Sequence, residues 1–181
     1  MQTRRVLAPI ALAIAAACGT APAPTPDPAP VRTPAASRAS TPPATAERDR
    51  LAAIRDEVVA RTSAERRANG LPGIVRSVNL MAAAQLQAEQ MAAAGTMSHD
   101  LPQAAYPTLK DRVASVSYTW RAIAENIAEG QVTSAAVVAN WMSSSGHRAN
   151  ILNATYTEMG AGLAYARGGR SYWVQVFARP R

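Results

Sequence analysis

Leu51, Ile54, Val58 and Thr62 return every three or four residues, while Arg55, Glu57, Arg61, Glu65 and Arg66 fall mostly on other faces. This spacing predicts an amphipathic helix over 47–69, closed by Asn69-Gly70 and followed by Pro72. Leu80, Ala84, Ala88 and Met91 form the stripe of a second helix over 78–94, stopped by Gly95, and its alanines allow another element to approach closely. A short helix is expected over 109–113. Val116, Tyr118 and Trp120 then alternate with Ser117, Thr119 and Arg121, a period of two that predicts a strand over 116–121 with Glu125 near its end. Ala135, Val138, Trp141 and Met142 share one side of a third helix over 134–142. Two apolar-rich runs, 158–166 and 171–178, flank Arg167-Gly168-Gly169-Arg170 and read as a hairpin. Helices first and paired strands later give an α+β fold with a small antiparallel sheet covered by helices.

The amino terminus follows different rules. Arg4 and Arg5 precede an apolar run over 6–17 that ends in Ala15-Ala16-Ala17-Cys18. Twelve residues fall short of the roughly twenty a membrane-spanning helix needs, so 1–17 reads as a cleaved signal peptide. A cysteine directly after three small residues is similar to a bacterial lipoprotein signal, in which the thiol of Cys18 is acylated; the plainer alternative is an ordinary cleavage site and a secreted product. Residues 18–46 are mostly Ala, Pro and Thr and carry eight of the 13 prolines. Such a segment buries too little to offset its ordering entropy, and it reads as a disordered tether to a domain over 47–181. The expected location is extracytoplasmic, anchored to the membrane through a lipid on Cys18.

Charge narrows the functional classes. The chain carries 19 Lys plus Arg against 12 Asp plus Glu, but only 15 against 11 fall within 47–181. Pairs such as Arg48-Asp49 and Arg55-Asp56 intersperse the signs, as solvated helix faces do, so nucleic acid is not expected as a partner. No cysteine follows Cys18, so the domain must hold without disulfides.

The domain's chemistry centres on His99, His147 and Glu125, each placed near the end of an element, where distant parts of a chain converge. Two imidazoles and a carboxylate suit a divalent, zinc-like metal with an open position; two unrelated surface histidines are the commoner arrangement at such spacing. No His-Glu-x-x-His helix, phosphate-binding Gly-Lys-Ser/Thr loop or Gly-x-Ser-x-Gly elbow is present. Ser143-Ser144-Ser145 reads as a helix end, and Trp141, Trp173 and Phe177 as core.

Four stretches together resemble the CAP superfamily (cysteine-rich secretory, antigen 5 and pathogenesis-related-1), in its bacterial SCP-like extracellular branch. They are Glu65-Arg66 through Gly70-Leu71 with Met97-Ser98-His99; Ala124-Glu125-Asn126-Ile127-Ala128-Glu129-Gly130; the run from Trp141 to Leu152 containing Ser144, Gly146-His147-Arg148 and Asn150; and Tyr172-Trp173-Val174-Gln175-Val176-Phe177. The resemblance implies an α-β-α sandwich whose cleft gathers two histidines and two acids. His99, Glu125 and His147 match three of these positions, and Ser144 stands where the fourth acid belongs. Ser144 and Asn126 are expected in the cavity, and a metal, where held, is expected to bind weakly because a hydroxyl replaces a carboxylate. Ser63 and Ala124 also stand where the family commonly has Asn and Gly. A non-enzymatic module that binds a lipid or other apolar small molecule, or a cell-envelope component, is the expected function. The alternative is a metal-dependent hydrolase acting on peptide or wall polymer.

Overall fold

The computed structural model describes residues 44–181. The expected signal peptide, Cys18 and most of the tether lie outside the described residues. The first helix, α1 (Ala44–Ala68), begins three residues before the expected domain start, and Gly70 follows it at φ 77. A two-residue strand, β1 (Val75–Arg76), leads into α2 (Val78–Ala94), which ends on left-handed Gly95 as its sequence requires. Then come α3 (Leu109–Ser115), β2 (Trp120–Glu129), α4 (Ser134–Ser143), α5 (Ser145–Ile151), β3 (Glu158–Tyr165) and β4 (Ser171–Pro180). Among the described residues, no helix is long and apolar enough to cross a membrane.

The four strands run in the order β1-β3-β4-β2, antiparallel except for the parallel pair β1 and β3. Alternation along the strands sorts side chains to two faces. Tyr172, Val174, Val176 and Ala178 of β4 join Leu80, Ala84, Ala88 and Met91 of α2 and Val113 of α3. Trp173 and Phe177 join Met159, Ala161 and Leu163 of β3 with Val58 and Val59 of α1 and Val137, Val138 and Trp141 of α4. The result is the expected α-β-α sandwich.

Two departures from the sequence reading bear on the site. The strand expected over 116–121 is instead β2 at Trp120–Glu129, which puts Glu125 in mid-strand. Residues 116–119 alternate because they turn: Ser117 sits at φ 55, and Tyr118 is buried with its hydroxyl donating to Glu158 at 3.0 Å. The true strand is obscured by small side chains, since Ala122, Ala124 and Ala128 carry little β propensity. Helix α5 was not expected at all, and it makes His147 a helical residue rather than one in a loop.

Gly160 and Gly162 set the distance between β3 and α2. A Cβ built on Gly160 would fall on the backbone of Leu80 and Met81, and one on Gly162 on the backbone of Ala84. Backbone cannot swing aside as a side chain can, so Gly160→Ala is expected to destabilise the domain by roughly 2–4 kcal/mol, whereas Gly146→Ala, with open space around its Cβ, is expected to cost under about 1 kcal/mol. Urea unfolding checks this, and equal midpoints for the two variants would contradict it.

Candidate functional site

Strand β2 is one of the two outer strands of the sheet, opposite β1, and the candidate residues approach it from both faces. His99 lies on the loop after α2, on the α2/α3 side. His147 lies on α5, which packs beside α4 on the opposite side. Glu125 is on β2 between them.

One buried cation organises the first side. A capping box between Thr108 and Asp111 fixes the start of α3, and one residue later Arg112 turns inward, its side chain 0% exposed. Its Nη2 donates to both oxygens of Glu125, at 3.2 and 3.0 Å, and to the carbonyl of His99 at 3.1 Å. Its Nη1 donates to the carbonyls of Tyr106 and Pro107. Arg112 thus clamps the loop carrying His99 as well as the carboxylate facing it. Glu125, with its side chain 2% exposed, also meets His99 Nδ1 through Oε1 at 2.9 Å. This fixes the imidazole's orientation and directs its Nε2 away from Glu125.

A buried amide chain holds the second side. Asn126, expected in the cavity lining, is fully buried behind it and donates to the carbonyl of His147 and to Gln175 Oε1, both at 3.1 Å. Asn150 of α5 donates back to Asn126 Oδ1 at 2.8 Å. Gln175 donates to Thr62 of α1 at 2.7 Å, so the chain runs from α1 through the sheet to α5. Arg66, which the periodicity left on a polar face, is buried and donates to the carbonyls of Pro72, Ile151, Asn153 and Tyr156. It secures the carboxyl end of α5, where the helix dipole favours a cation, while burial holds its own pKa below the ordinary arginine value. Ser144, half-buried, joins α4 to α5 as the cap between them.

The two imidazoles are tuned in opposite directions. The hydrogen bond to Glu125 raises the His99 pKa, outweighing partial burial. Burial lowers that of His147, and the charge of nearby His99 lowers it further. His147 Nδ1 is buried with no hydrogen-bond partner among the described residues.

As a metal fit, these residues offer two imidazoles, with Glu125 standing behind one of them. Glu125 would reach an ion only by loosening its hold on Arg112. Among the described residues no three His, Cys, Asp or Glu side chains are grouped to hold an ion. Arg112, like Arg66, is a buried cation that the sequence pattern does not mark. The available signal was its place between Leu109 and Val113 on the core-facing side of a short helix, where a cation needs a buried partner.

The family model of the cysteine-rich secretory protein family, CAP, matches residues 59–177. Protein YkwD of Bacillus subtilis, which carries the name "uncharacterized", is 35% identical over 147 residues, covering 77% of this chain and 55% of that protein. An extracellular protein containing a SCP domain from Bacillus anthracis shares the fold with a TM-score of 0.67 at 24% identity, covering 77% of this chain and 45% of that one. An outer surface protein of Borrelia burgdorferi does so with a TM-score of 0.62 at 18% identity, covering 68% of this chain and 90% of that one. The chain therefore spans about half the length of the two Bacillus relatives.

Arg112→Leu leaves the Glu125 charge buried without its cation and is expected to cost about 3–5 kcal/mol in chemical denaturation, with partial recovery when Glu125→Gln is added. Full additivity of the two substitutions would contradict the coupling. In the folded protein, imidazole proton resonances are expected to show His99 titrating above His147. With 56% of its side chain exposed, His99 keeps much of its hydration, so its contribution to stability is small. That contribution is whole below the unfolded histidine pKa and is lost as pH rises through the raised folded value. His147 acts oppositely, favouring the neutral ring and withdrawing stability as pH falls below its unfolded pKa. Glu125→Gln is expected to bring the His99 titration down toward that of His147, and an unmoved His99 would contradict the assigned cause.

Proposed function

The chain belongs to the CAP family of cysteine-rich secretory proteins, and from that premise we propose that it is an extracytoplasmic binding module, tethered through an acylated Cys18, that holds an apolar small molecule or cell-envelope component without turning it over. The observation that carries this reading is the state of Glu125. Both of its oxygens accept from buried Arg112 and one also meets His99, so proton transfer through this carboxylate would disrupt a buried ion pair. A general base needs the opposite situation, a carboxylate free to take a proton from substrate.

A mostly apolar hollow of about 320 Å³ supports a small ligand. Ala93 and Ala94 at the end of α2 and Leu101 and Ala104 of the His99 loop line it, with Gln90 and Gln103 as polar groups. This size lies at the lower end for small-molecule sites. The bacterial relatives whose names place them outside the cell or at its surface support the location.

One observation favours a second reading, a metal-dependent hydrolase. His147 keeps a neutral-leaning imidazole whose buried Nδ1 has no hydrogen-bond partner among the described residues, and His99 presents Nε2. The two imidazoles would hold the ion, which would polarise a scissile carbonyl or lower the pKa of a bound water.

One set of measurements separates the readings. The full chain is expected to bind a member of a lipid and sterol panel saturably, and Ala104→Trp, which fills the hollow, is expected to weaken that binding by about tenfold. No saturable binding across the panel overturns the binding reading. Peptide or wall-polymer turnover that His99→Ala abolishes, with a metal found by elemental analysis, would establish the hydrolase in its place. Mass spectrometry of the mature amino terminus is expected to find an acylated Cys18, and an unmodified Cys18 would make the protein secreted rather than anchored.

A further inference from the structure

We propose that the outer edge of β2 docks an extended acidic peptide, which joins the sheet as a fifth strand beside Ile123. Strand β2 ends the sheet, and no other strand among the described residues pairs with its outer side. The register shows which backbone groups face out. Thr157 donates to the carbonyl of Ala178 at 3.0 Å, so Ala178 turns its hydrogen-bonding groups toward the β3 side. Ile123 is its partner across β2 and β4, and a pair in which one member faces away exchanges no ladder bonds. Ile123 therefore points its N–H and C=O out of the sheet, as do Glu125 and Ile127 further along.

Side chains cover the outward carbonyls of the last two: Asn150 donates to that of Glu125 at 3.5 Å, and Trp141 to that of Ile127 at 3.1 Å. No side chain among the described residues covers those of Ile123. The open part of the edge therefore lies between the histidine site and Trp120, whose carbonyl accepts from Arg181 Nε at 3.3 Å.

Two hollows accompany this open stretch. One, of about 400 Å³, is lined by Ile123, Asp100, Thr108, Leu109 and Lys110. The other, of about 410 Å³, is lined by Lys110, Thr119, Trp120 and Arg181. Lys110 borders both. An added strand places same-facing side chains about 7 Å apart, so adjoining hollows can receive alternate residues while backbone bonds supply the pairing.

Charge selects the partner. Arg121 occupies the irregularity between Trp120 and Ala122, Arg179 lies opposite Ala122, and Lys110 and Arg181 line the hollow. None of these four cations forms an ion pair among the described residues. Of the nearby acids, Asp111 is tied to Thr108, and Asp100 lines the hollow nearer His99. Edge cations commonly protect a sheet from pairing with its own copies. Here the same charges that repel a second β2 attract a strand of acidic residues, giving specificity through both terms.

The proposal requires no ligand or metal at the histidines, so peptide binding and lipid binding fail separately. Fluorescence anisotropy with the full chain and a labelled peptide of about eight alternating Glu and Val residues tests it. Saturable binding is expected, together with weakening of about tenfold or more in Lys110→Glu combined with Arg181→Glu. N-methylation of alternate peptide residues is expected to abolish binding when it blocks the edge facing β2 and to leave binding intact when it blocks the other. Ile123→Pro, which deletes an outward N–H without breaking a β4 bond, is expected to lose the peptide while keeping its circular dichroism; should it unfold, the methylated peptides decide. A Lys/Val peptide bound as tightly as the Glu/Val peptide would overturn the proposal. So would equal binding of both methylated forms, which would leave charge alone and favour an anionic glycan.

Discussion

The ion pair between Arg112 and Glu125 is the contact on which the histidine site depends. Both partners are buried, and removing two charges from water costs several kcal/mol for each ion before their attraction is counted. Close geometry and additional hydrogen bonds offset that cost here. Arg112 fills its donors with the carboxylate and three loop carbonyls, although its Nε remains without a partner among the described residues. The same guanidinium fixes Glu125 and the backbone of His99, so it controls both the imidazole's hydrogen-bond acceptor and the loop that carries the ring.

The far side of β2 is held by a different device. Asn126, Gln175 and Thr62 share neutral hydrogen bonds across three elements, and the chain ends on the carbonyl of His147. Neighbouring residues of one strand thus serve opposite faces: Glu125 positions His99 through an ion pair, and Asn126 positions His147 through an amide. A one-residue slip of β2 would exchange these faces and leave both groups buried without partners. The register of the outer strand and the assembly of the site are therefore one constraint.

Much of the fold was legible because its main elements carry strong local signals. The stripe of α2, the Gly95 stop and the Gly168-Gly169 hairpin reflect local periodicity and turn chemistry, and the structure retains each. The misplaced strand shows where periodicity fails. Tyr118 is buried from a turn and mimics alternation, while β2 gains its stability from pairing with β4 rather than from its own alanines. The identities of His99, Glu125 and His147 were readable, and the structure pairs the first two at 2.9 Å. Their positioning was not: Arg112 looks like any charged residue of a short helix, and Arg66 falls among the polar positions of a long one. Arg66 is defined by carbonyls that distant sequence supplies, and Arg112 by loop carbonyls together with a carboxylate on β2; no helical periodicity encodes either set.

In a domain without disulfides, two apolar clusters hold the layers together and these two arginines tie loops to them. Arg66 joins the end of α1 to residues 151–156, and Arg112 joins α3 to the His99 loop and to β2. In the chain-entropy account, a disulfide acts largely by restricting the unfolded chain, whereas a guanidinium acts only once its carbonyls are in place. The contacts of Arg66 to residues 151–156 and of Arg112 to Glu125 therefore become favourable only when sheet, helices and loops are assembled together. Order in the His99 loop and in α5 is thereby coupled to folding of the whole sandwich, and the site forms as a consequence of the fold rather than as a preformed local motif.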